Sequence, residues 1–148
     1  RIADISVKSI KNLKAIKCPI KYNSSAIDEF LIIFLVAAKS KGVSFFKNLS
    51  ELNQKESPRL KLGSKILNMI GIKTEVTNHS IKIFGNPNLK LNKSYKIKNY
   101  LKDHRIFMMS TIAGLAFGGN WTINDADSIN TSFPNFLKII KSLGGEIK

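Results

Sequence analysis

Two apolar stretches of this chain follow one pattern, and that pattern decides the predicted fold. Residues 28–46 read DEFLIIFLVAAKSKGVSFF, and residues 103–123 read DHRIFMMSTIAGLAFGGNWTI. In both, an aspartate precedes a long apolar run, which is followed by glycine and a short β-like run. This order is typical of a helix that leads into a strand. A helix formed by either apolar run would be hydrophobic on nearly every face, so we expect both helices to be buried.

The similarity continues beyond these stretches, so the chain contains an internal repeat with an offset of 75 residues. A serine with a nearby proline comes 29 residues after each aspartate, at Ser57 and Ser132. Ser57 is the predicted N-cap of a second helix, Pro58 its first residue and Gly71 its left-handed stop. Alternating residues over 73–84 then predict a hairpin. Each unit therefore has the predicted order helix, strand, helix, strand.

The repeat divides the chain into three predicted parts. Residues 1–22 contain short β-like pieces at 5–7 and 13–16, and we predict that they are trailing strands of a preceding unit. Residues 23–85 form the next repeat unit, and residues 86–148 form the last. The predicted fold class is α/β, built from repeated units whose helices pack inward.

Composition narrows the classes of protein. The chain has 24 Lys+Arg against 10 Asp+Glu and a formal net charge of +14. Such a charge is compatible with nucleic-acid binding, but all except three of the basic residues are lysines, scattered among many Asn and Ile residues. This pattern favours A+T-rich coding and solubility. One cysteine and two histidines provide neither a disulfide framework nor a zinc site.

Two further features bear on location. The longest apolar run, residues 30–38, is far shorter than the roughly 20 residues that span a bilayer. The chain begins with Arg1 and has no apolar segment of a signal peptide there. We therefore expect a part of a longer cytoplasmic protein that has no membrane partner.

Charged residues gather at three predicted helix starts, namely residues 27–29, 55–59 and 103–105. Both arginines beyond residue 1 lie in these clusters. Helix N-termini carry free N–H groups and a partial positive charge, which attract anions. The three clusters therefore predict a site for anionic ligands. The alternative for each cluster is a capping acid with a solvated counter-charge.

Four motifs then identify a family by resemblance. I-D-E at 27–29, K-E-S-x-R-L at 55–60, D-H-R-I at 103–106 and S-F-P-x-F at 132–136 resemble the 5-enolpyruvylshikimate-3-phosphate synthase family. The similarity covers nearly the whole chain and matches the family's C-terminal third. It implies the enolpyruvate transferase fold, an inside-out α/β barrel of βαβαββ units, here as a partial C-terminal region.

The resemblance also implies an activity, that of a 3-phosphoshikimate 1-carboxyvinyltransferase. Such an enzyme transfers the enolpyruvyl group of phosphoenolpyruvate to the 5-hydroxyl of shikimate 3-phosphate and releases phosphate. This is a step of the shikimate pathway, which leads through chorismate to the aromatic amino acids. No cofactor and no metal are implied.

By family position, the resemblance implies a role for each charged residue. Asp28 is the acid/base group at the 5-hydroxyl, and Glu56 is the proton donor and acceptor at the methylene carbon. Lys55 contacts both substrates, and Asp28 joins it in binding shikimate 3-phosphate. Arg59 and Arg105, together with Lys55, bind phosphoenolpyruvate. Three neighbours are expected to support these side chains: Glu29, Asp103 and His104.

The chain departs from the family pattern at Pro58, where aspartate is usual, and at Asn53 and Gln54, where Arg-Val is common. The implied partners are the two substrates and the N-terminal domain of the same chain, in a protein that is a monomer when complete. Without that domain we expect the 148 residues to be inactive.

Two alternatives remain open: a UDP-N-acetylglucosamine enolpyruvyl transferase-like enzyme and a basic nucleic-acid-binding domain.

Overall fold

The computed structural model describes residues 3–4, 6–8, 10 and 12–147, and this part of the chain contains both helices and strands. The helices are α1 (Phe30–Ala38), α2 (Arg59–Met69), α3 (His104–Phe117) and α4 (Phe136–Ser142). The strands are β1 (Gly42–Phe46), β2 (Thr74–Val76), β3 (Ile81–Gly85), β4 (Leu91–Ile97) and β5 (Gly118–Ile123). The predicted α/β architecture is therefore confirmed.

The first repeat unit contains a sheet with the strand order β1-β3-β2, in which both neighbouring pairs are antiparallel. The chain before α1 runs parallel to β1 through isolated bridges, Lys14 with Lys41 and Lys17 with Phe45. With that segment included, the unit has the order β-α-β-α-β-β. The predicted β-like piece at 5–7 includes residue 5, which lies outside the described residues.

The second unit repeats the first four of these elements. Strand β4 pairs with β5 in a parallel two-stranded sheet, α3 connects the two strands, and α4 follows. Within the described residues no strand follows α4, so the last predicted strand of this unit is not seen. The boundaries at 22/23 and 85/86 stay predictions.

Helix α1 lies at the centre of the core, as its apolar sequence predicts. Phe30 and Phe34 are fully buried, and their rings pack on each other and on the ring of Phe46. Helix α1 contacts α2, α3 and β3, so the core is shared by both units. Among the described residues, no helix is long and apolar enough to cross a membrane.

The start of α2 differs from the prediction. Its N-cap is Pro58 rather than Ser57, and no side chain caps the first turn. The hydroxyl of Ser57 instead donates to Oδ2 of Asp103 at 2.7 Å. A hydrogen bond to a carboxylate is stronger than one between neutral groups, which explains why the local cap is not formed. The end of α2 agrees with the prediction, because Gly71 adopts a φ of 86°.

The last residue of β3 requires glycine because it lies against the C-terminal end of α1. A Cβ atom on Gly85 would lie 2.1 Å from the carbonyl oxygen of Ser40 and 2.5 Å from that of Ala37. We expect Gly85→Ala to lower the free energy of unfolding by about 2–3 kcal/mol, because the backbone must move to admit the methyl group. Urea denaturation measures this. Ser94→Ala, on an exposed position of β4, is the control. Equal midpoints for both variants would contradict the close approach.

Candidate active site

The three charged clusters meet because the helices that follow them pack together. A short 3₁₀ helix, Ile27–Glu29, leads into α1, residues 55–58 precede α2, and Asp103 is the N-cap of α3. Helices α1, α2 and α3 contact one another in pairs. Their N-terminal ends therefore bring residues from both repeat units to one place.

Arg59 is the centre of this place. Its side chain is only 2% exposed. The guanidinium donates through Nε and Nη2 to the two oxygens of Asp103, at 2.9 and 3.2 Å, and through Nη1 to Oδ1 of Asp28 at 3.0 Å. Nη2 also donates to Oε2 of Glu56. Of the five N–H groups of a guanidinium, these contacts engage four and leave one on Nη1.

Asp103 is the buried anion that faces Arg59. Its carboxylate also accepts from the hydroxyl of Ser57 at 2.7 Å and from the backbone N–H of Arg105 at 2.8 Å. Burial alone would raise the pKa of Asp103, but the bonds from Arg59, Ser57 and Arg105, with the Arg59 charge, hold that pKa below its usual range.

The contact with Asp103 shifts the pKa of Arg59 upward, in the opposite direction to the shift of Asp103. Burial alone would lower the pKa of Arg59, but its bond to Asp103 and the charges of Asp103, Glu56 and Asp28 raise the pKa above its ordinary value. The pair is therefore ionised at neutral pH.

The other two cations lie nearer the surface and are also paired. Lys55 Nζ is 3.0 Å from Oε1 of Glu51 and 3.8 Å from Oδ1 of Asp28. Nη1 of Arg105 donates to the backbone oxygen of Asp28 at 3.1 Å and to Oε1 of Glu29 at 3.0 Å. Sequence reasoning missed Glu51, although its spacing of four residues from Lys55 is the signal that would have found it.

The charge balance of the cluster is negative, in contrast to that of the whole chain. Three cations (Lys55, Arg59 and Arg105) contact five carboxylates (Asp28, Glu29, Glu51, Glu56 and Asp103). Four of these carboxylates are about half exposed, and only the side chain of Asp103 is fully buried. An anionic ligand must therefore displace exposed carboxylates from the cations or bind with further cations from outside these residues.

A cleft of about 390 Å³ opens beside the cluster, between α1, α3 and the start of α4. Asp28, Glu29, His104 and Arg105 line its polar end. The rest of its lining is mostly apolar: Leu31, Ile32, Met108, Ile112, Ser132, Phe133 and Phe136. Of the predicted site residues, Lys55, Glu56, Arg59 and Asp103 lie outside this lining. The cleft thus brings the S-F-P-x-F motif close to the D-H-R motif.

The burial of Asp103 makes it a test of how the cluster contributes to stability. We expect Asp103→Asn to lower the free energy of unfolding by about 3 kcal/mol, because Arg59 then loses its buried counter-charge. Asp127→Asn is the control, since Asp127 is 68% exposed and 3.6 Å from Lys102. Its effect should stay below about 1 kcal/mol.

The lowered pKa of Asp103 also gives this effect a pH dependence. A carboxyl group whose pKa is depressed by folding stabilises the native state above its unfolded pKa of about 3.9, and this contribution is lost as pH falls through the lower folded pKa. The difference between the parent chain and Asp103→Asn should therefore be constant near neutral pH and shrink below about pH 4. A difference that grows as pH falls below about 4 would contradict the ionised pair.

The chemistry of the site is that of charged side chains. Among the described residues there is no group of three or more His, Cys, Asp and Glu side chains that could hold a metal ion. The cluster offers two half-exposed carboxylates, Asp28 and Glu56, on adjacent nitrogens of one guanidinium. Such a pair can exchange protons with a ligand while cations bind its anionic groups.

Comparison with known proteins connects this geometry to a family. The family model described as EPSP synthase (3-phosphoshikimate 1-carboxyvinyltransferase) matches residues 3–140. The 3-phosphoshikimate 1-carboxyvinyltransferase of Zymomonas mobilis is 38% identical over an alignment of 149 positions, which covers 99% of this chain and 33% of the relative. That of Ruthia magnifica is 36% identical over an alignment of 150 positions, which again covers 99% of this chain and 33% of the relative.

Solved structures agree. EPSP synthase from Acinetobacter baumannii superposes with a TM-score of 0.81 at 32% identity over 89% of this chain and 30% of that chain. The enolpyruvyl transferase NikO from Streptomyces tendae shares the fold, with a TM-score of 0.66 at 15% identity over 93% of this chain and 29% of that chain.

These findings favour neither of the two alternatives left open by the sequence. The chain spans about a third of the length of the curated relatives it matches. With a family match over residues 3–140 and the fold of a solved member, the chain belongs to the EPSP synthase family.

Proposed function

We propose that these residues form part of an enzyme that transfers the enolpyruvyl group of phosphoenolpyruvate to the 5-hydroxyl of shikimate 3-phosphate. One observation carries the proposal: the carboxylates of Asp28 and Glu56 lie on neighbouring nitrogens of the buried Arg59 guanidinium. The reaction needs two proton-transfer groups and a cation at one centre, and the cluster supplies all three.

The two carboxylates take complementary parts in this proposal. Asp28 accepts the proton of the 5-hydroxyl while the oxygen of that hydroxyl forms a bond to C2 of phosphoenolpyruvate. Glu56 gives a proton to the methylene carbon and, when the bond from C2 to the phosphate oxygen breaks, takes a proton back from the resulting methyl group. The products are one enol ether and one inorganic phosphate, and the departing phosphate takes the proton that Asp28 accepted. Their exposures of 45% and 54% leave both carboxylates accessible to a ligand.

The cations bind the charges that the substrates bring. Arg59 offers its remaining Nη1 hydrogen, and it offers more when Glu56 leaves Nη2. In this proposal Arg105, which is 28% exposed and lines the polar end of the cleft, binds the phosphate and carboxylate of phosphoenolpyruvate. Planar guanidinium groups bind such anions in two-point contacts, which an ammonium cannot form. Lys55 contacts both substrates as a point charge.

The excess of carboxylates in the cluster implies a partner. Three cations that already contact five carboxylates leave little positive charge for two substrates that carry several negative charges. We therefore propose that the rest of the protein, about two thirds of the length of its relatives, supplies further cations and most contacts to shikimate 3-phosphate. We further propose that the protein is a monomer and that it is cytoplasmic, a reducing compartment in which a free thiol such as that of Cys18 is usual.

A chimera tests the activity. The 148 residues are joined behind the N-terminal two thirds of the Zymomonas mobilis relative, and phosphate release from phosphoenolpyruvate is measured with and without shikimate 3-phosphate. We expect release only with both substrates, and none from the 148 residues alone. A folded chimera that binds both substrates without turnover would contradict the proposal.

The same chimera tests the part given to Glu56. We expect Glu56→Gln to lower kcat by about 10²–10⁴-fold, because an amide cannot move the proton at the methylene carbon. The matched control is Glu75→Gln, which removes the same charge from an exposed ion pair with Lys82 on the first-unit sheet. The control should keep the parent kcat. Full kcat in Glu56→Gln would remove Glu56 from the proton transfers.

A further inference from the structure

The loop before α3 contains backbone conformations that its residues disfavour. Between β4 and α3, φ is 59° at Asn99, 58° at Leu101 and 54° at Lys102. Asparagine tolerates the left-handed region, but for leucine and lysine the Cβ atom crowds the following carbonyl oxygen. Strain of this kind persists only where the surrounding structure fixes the backbone, and it concentrates at functional sites.

The side chains of the strained residues do not fix the loop. Leu101 is 69% exposed, and within the described residues the Lys102 ammonium forms one ion pair, an exposed contact with Asp127. Tyr100, which lies between the strained positions, is 1% exposed. The anchor of the loop is therefore Tyr100.

The hydroxyl end of the Tyr100 side chain is fixed at the C-terminal end of β5, the strand that pairs with β4. Its hydroxyl donates to the backbone oxygen of Asn124, the residue after β5. The backbone N–H of Asn124 donates to the oxygen of Ile97 at the end of β4, at 3.1 Å. Burial, with nearby carboxylates, raises the pKa of Tyr100 to about 12, so the hydroxyl remains a donor at neutral pH. Tyr100 thus ties the loop to the ends of both strands.

The loop ends at Asp103 and sets its position. The backbone N–H of Asp103 donates to the carbonyl oxygen of Tyr100 at 3.2 Å. From there the Asp103 carboxylate reaches Arg59 and Ser57 in the other repeat unit and caps α3 at the N–H of Arg105. A shift of the loop would therefore move both arginines of the cluster.

We propose that Tyr100 is a positioning residue: its buried side chain and hydroxyl hold the left-handed loop in the one conformation that places Asp103 between Arg59 and the start of α3. Tyr100 acts through Asp103 and not on the substrates. Its predicted effect on substrate binding rests on the proposed function, whereas its effect on the position of Arg59 does not.

Removal of the hydroxyl, with and without relief of the strain, tests this inference in the chimera described above. Tyr100→Phe leaves the oxygen of Asn124 without its donor and should raise the KM for phosphoenolpyruvate about 3- to 10-fold, with kcat changed less than about twofold. It should also shift the Nε–H resonance of Arg59 in ¹⁵N spectra. Adding Leu101→Gly should restore both, because glycine adopts the left-handed conformation without crowding.

Two control variants separate this inference from general effects. Tyr95→Phe removes the hydroxyl of a half-buried tyrosine that stacks on Trp121 in the β4–β5 sheet, and it should change neither readout. Asn48→Gly places glycine at a left-handed residue outside the loop, where φ is 56°, and it should not rescue Tyr100→Phe.

The results that would overturn the role of Tyr100 differ from those that would overturn the proposed enolpyruvyl transfer. An unchanged KM and Arg59 resonance in Tyr100→Phe, or a failure of Leu101→Gly to rescue it, would overturn the inference. If Tyr100→Phe does not fold, recovery of folding by Leu101→Gly supports it, and no recovery overturns it. If the parent chimera has no turnover, the proposed function fails, and the Arg59 resonance alone decides the role of Tyr100.

Discussion

The contact between the buried guanidinium of Arg59 and the buried carboxylate of Asp103 organises this molecule. Transfer of two charges from water into the interior is costly, and the cost is offset only where the geometry is good and further hydrogen bonds complete both groups. Here Ser57 and the N–H of Arg105 complete Asp103, while Asp28 and Glu56 complete Arg59. Because Arg59 is the first residue of α2 and Asp103 is the N-cap of α3, the pair also joins the two repeat units at their helix starts.

This arrangement changes the meaning of the chain's charge. The net charge of +14 comes mostly from dispersed lysines, whereas the cluster at the helix starts has more carboxylates than cations. Under the proposed function, this site would bind an anion by exchange, in which an exposed carboxylate such as Glu51 or Glu29 gives up its cation to the ligand. Exchange lowers affinity but keeps the cations ordered before the ligand arrives, which reduces the entropy lost on binding.

Much of the fold could be predicted from the sequence, because its signals are local. The apolar run of α1, the alternation that gives β2 and β3, and the left-handed stop at Gly71 each depend on residues within a few positions of one another. The convergence of the three charged clusters was predictable as well, since it follows from the repeat and from helices that pack inward. The roles assigned to Asp28, Glu56 and Lys55 stay predictions, although the structure brings these side chains together.

The remainder could not be predicted because it depends on partners far apart in the chain. Ser57 has every local feature of an N-cap, but a carboxylate 46 residues away competes for its hydroxyl and wins. The sequence indicates that Asp103 is a helix cap, and it is one. Its burial against Arg59 depends on how the two units pack, which local sequence does not indicate. Nothing in the residues Leu101 and Lys102 indicates a left-handed backbone. That conformation is visible only once Tyr100 is placed against the end of β5.

The most direct test of the account is the coupling energy between Arg59 and Asp103, measured by a double-mutant cycle. The free energies of unfolding of the parent chain, Arg59→Met, Asp103→Asn and the double variant give that energy without reference to activity. A buried pair that joins the two units predicts a coupling of about 2–3 kcal/mol. A coupling below about 0.5 kcal/mol would show that the two residues act independently, and would contradict the account.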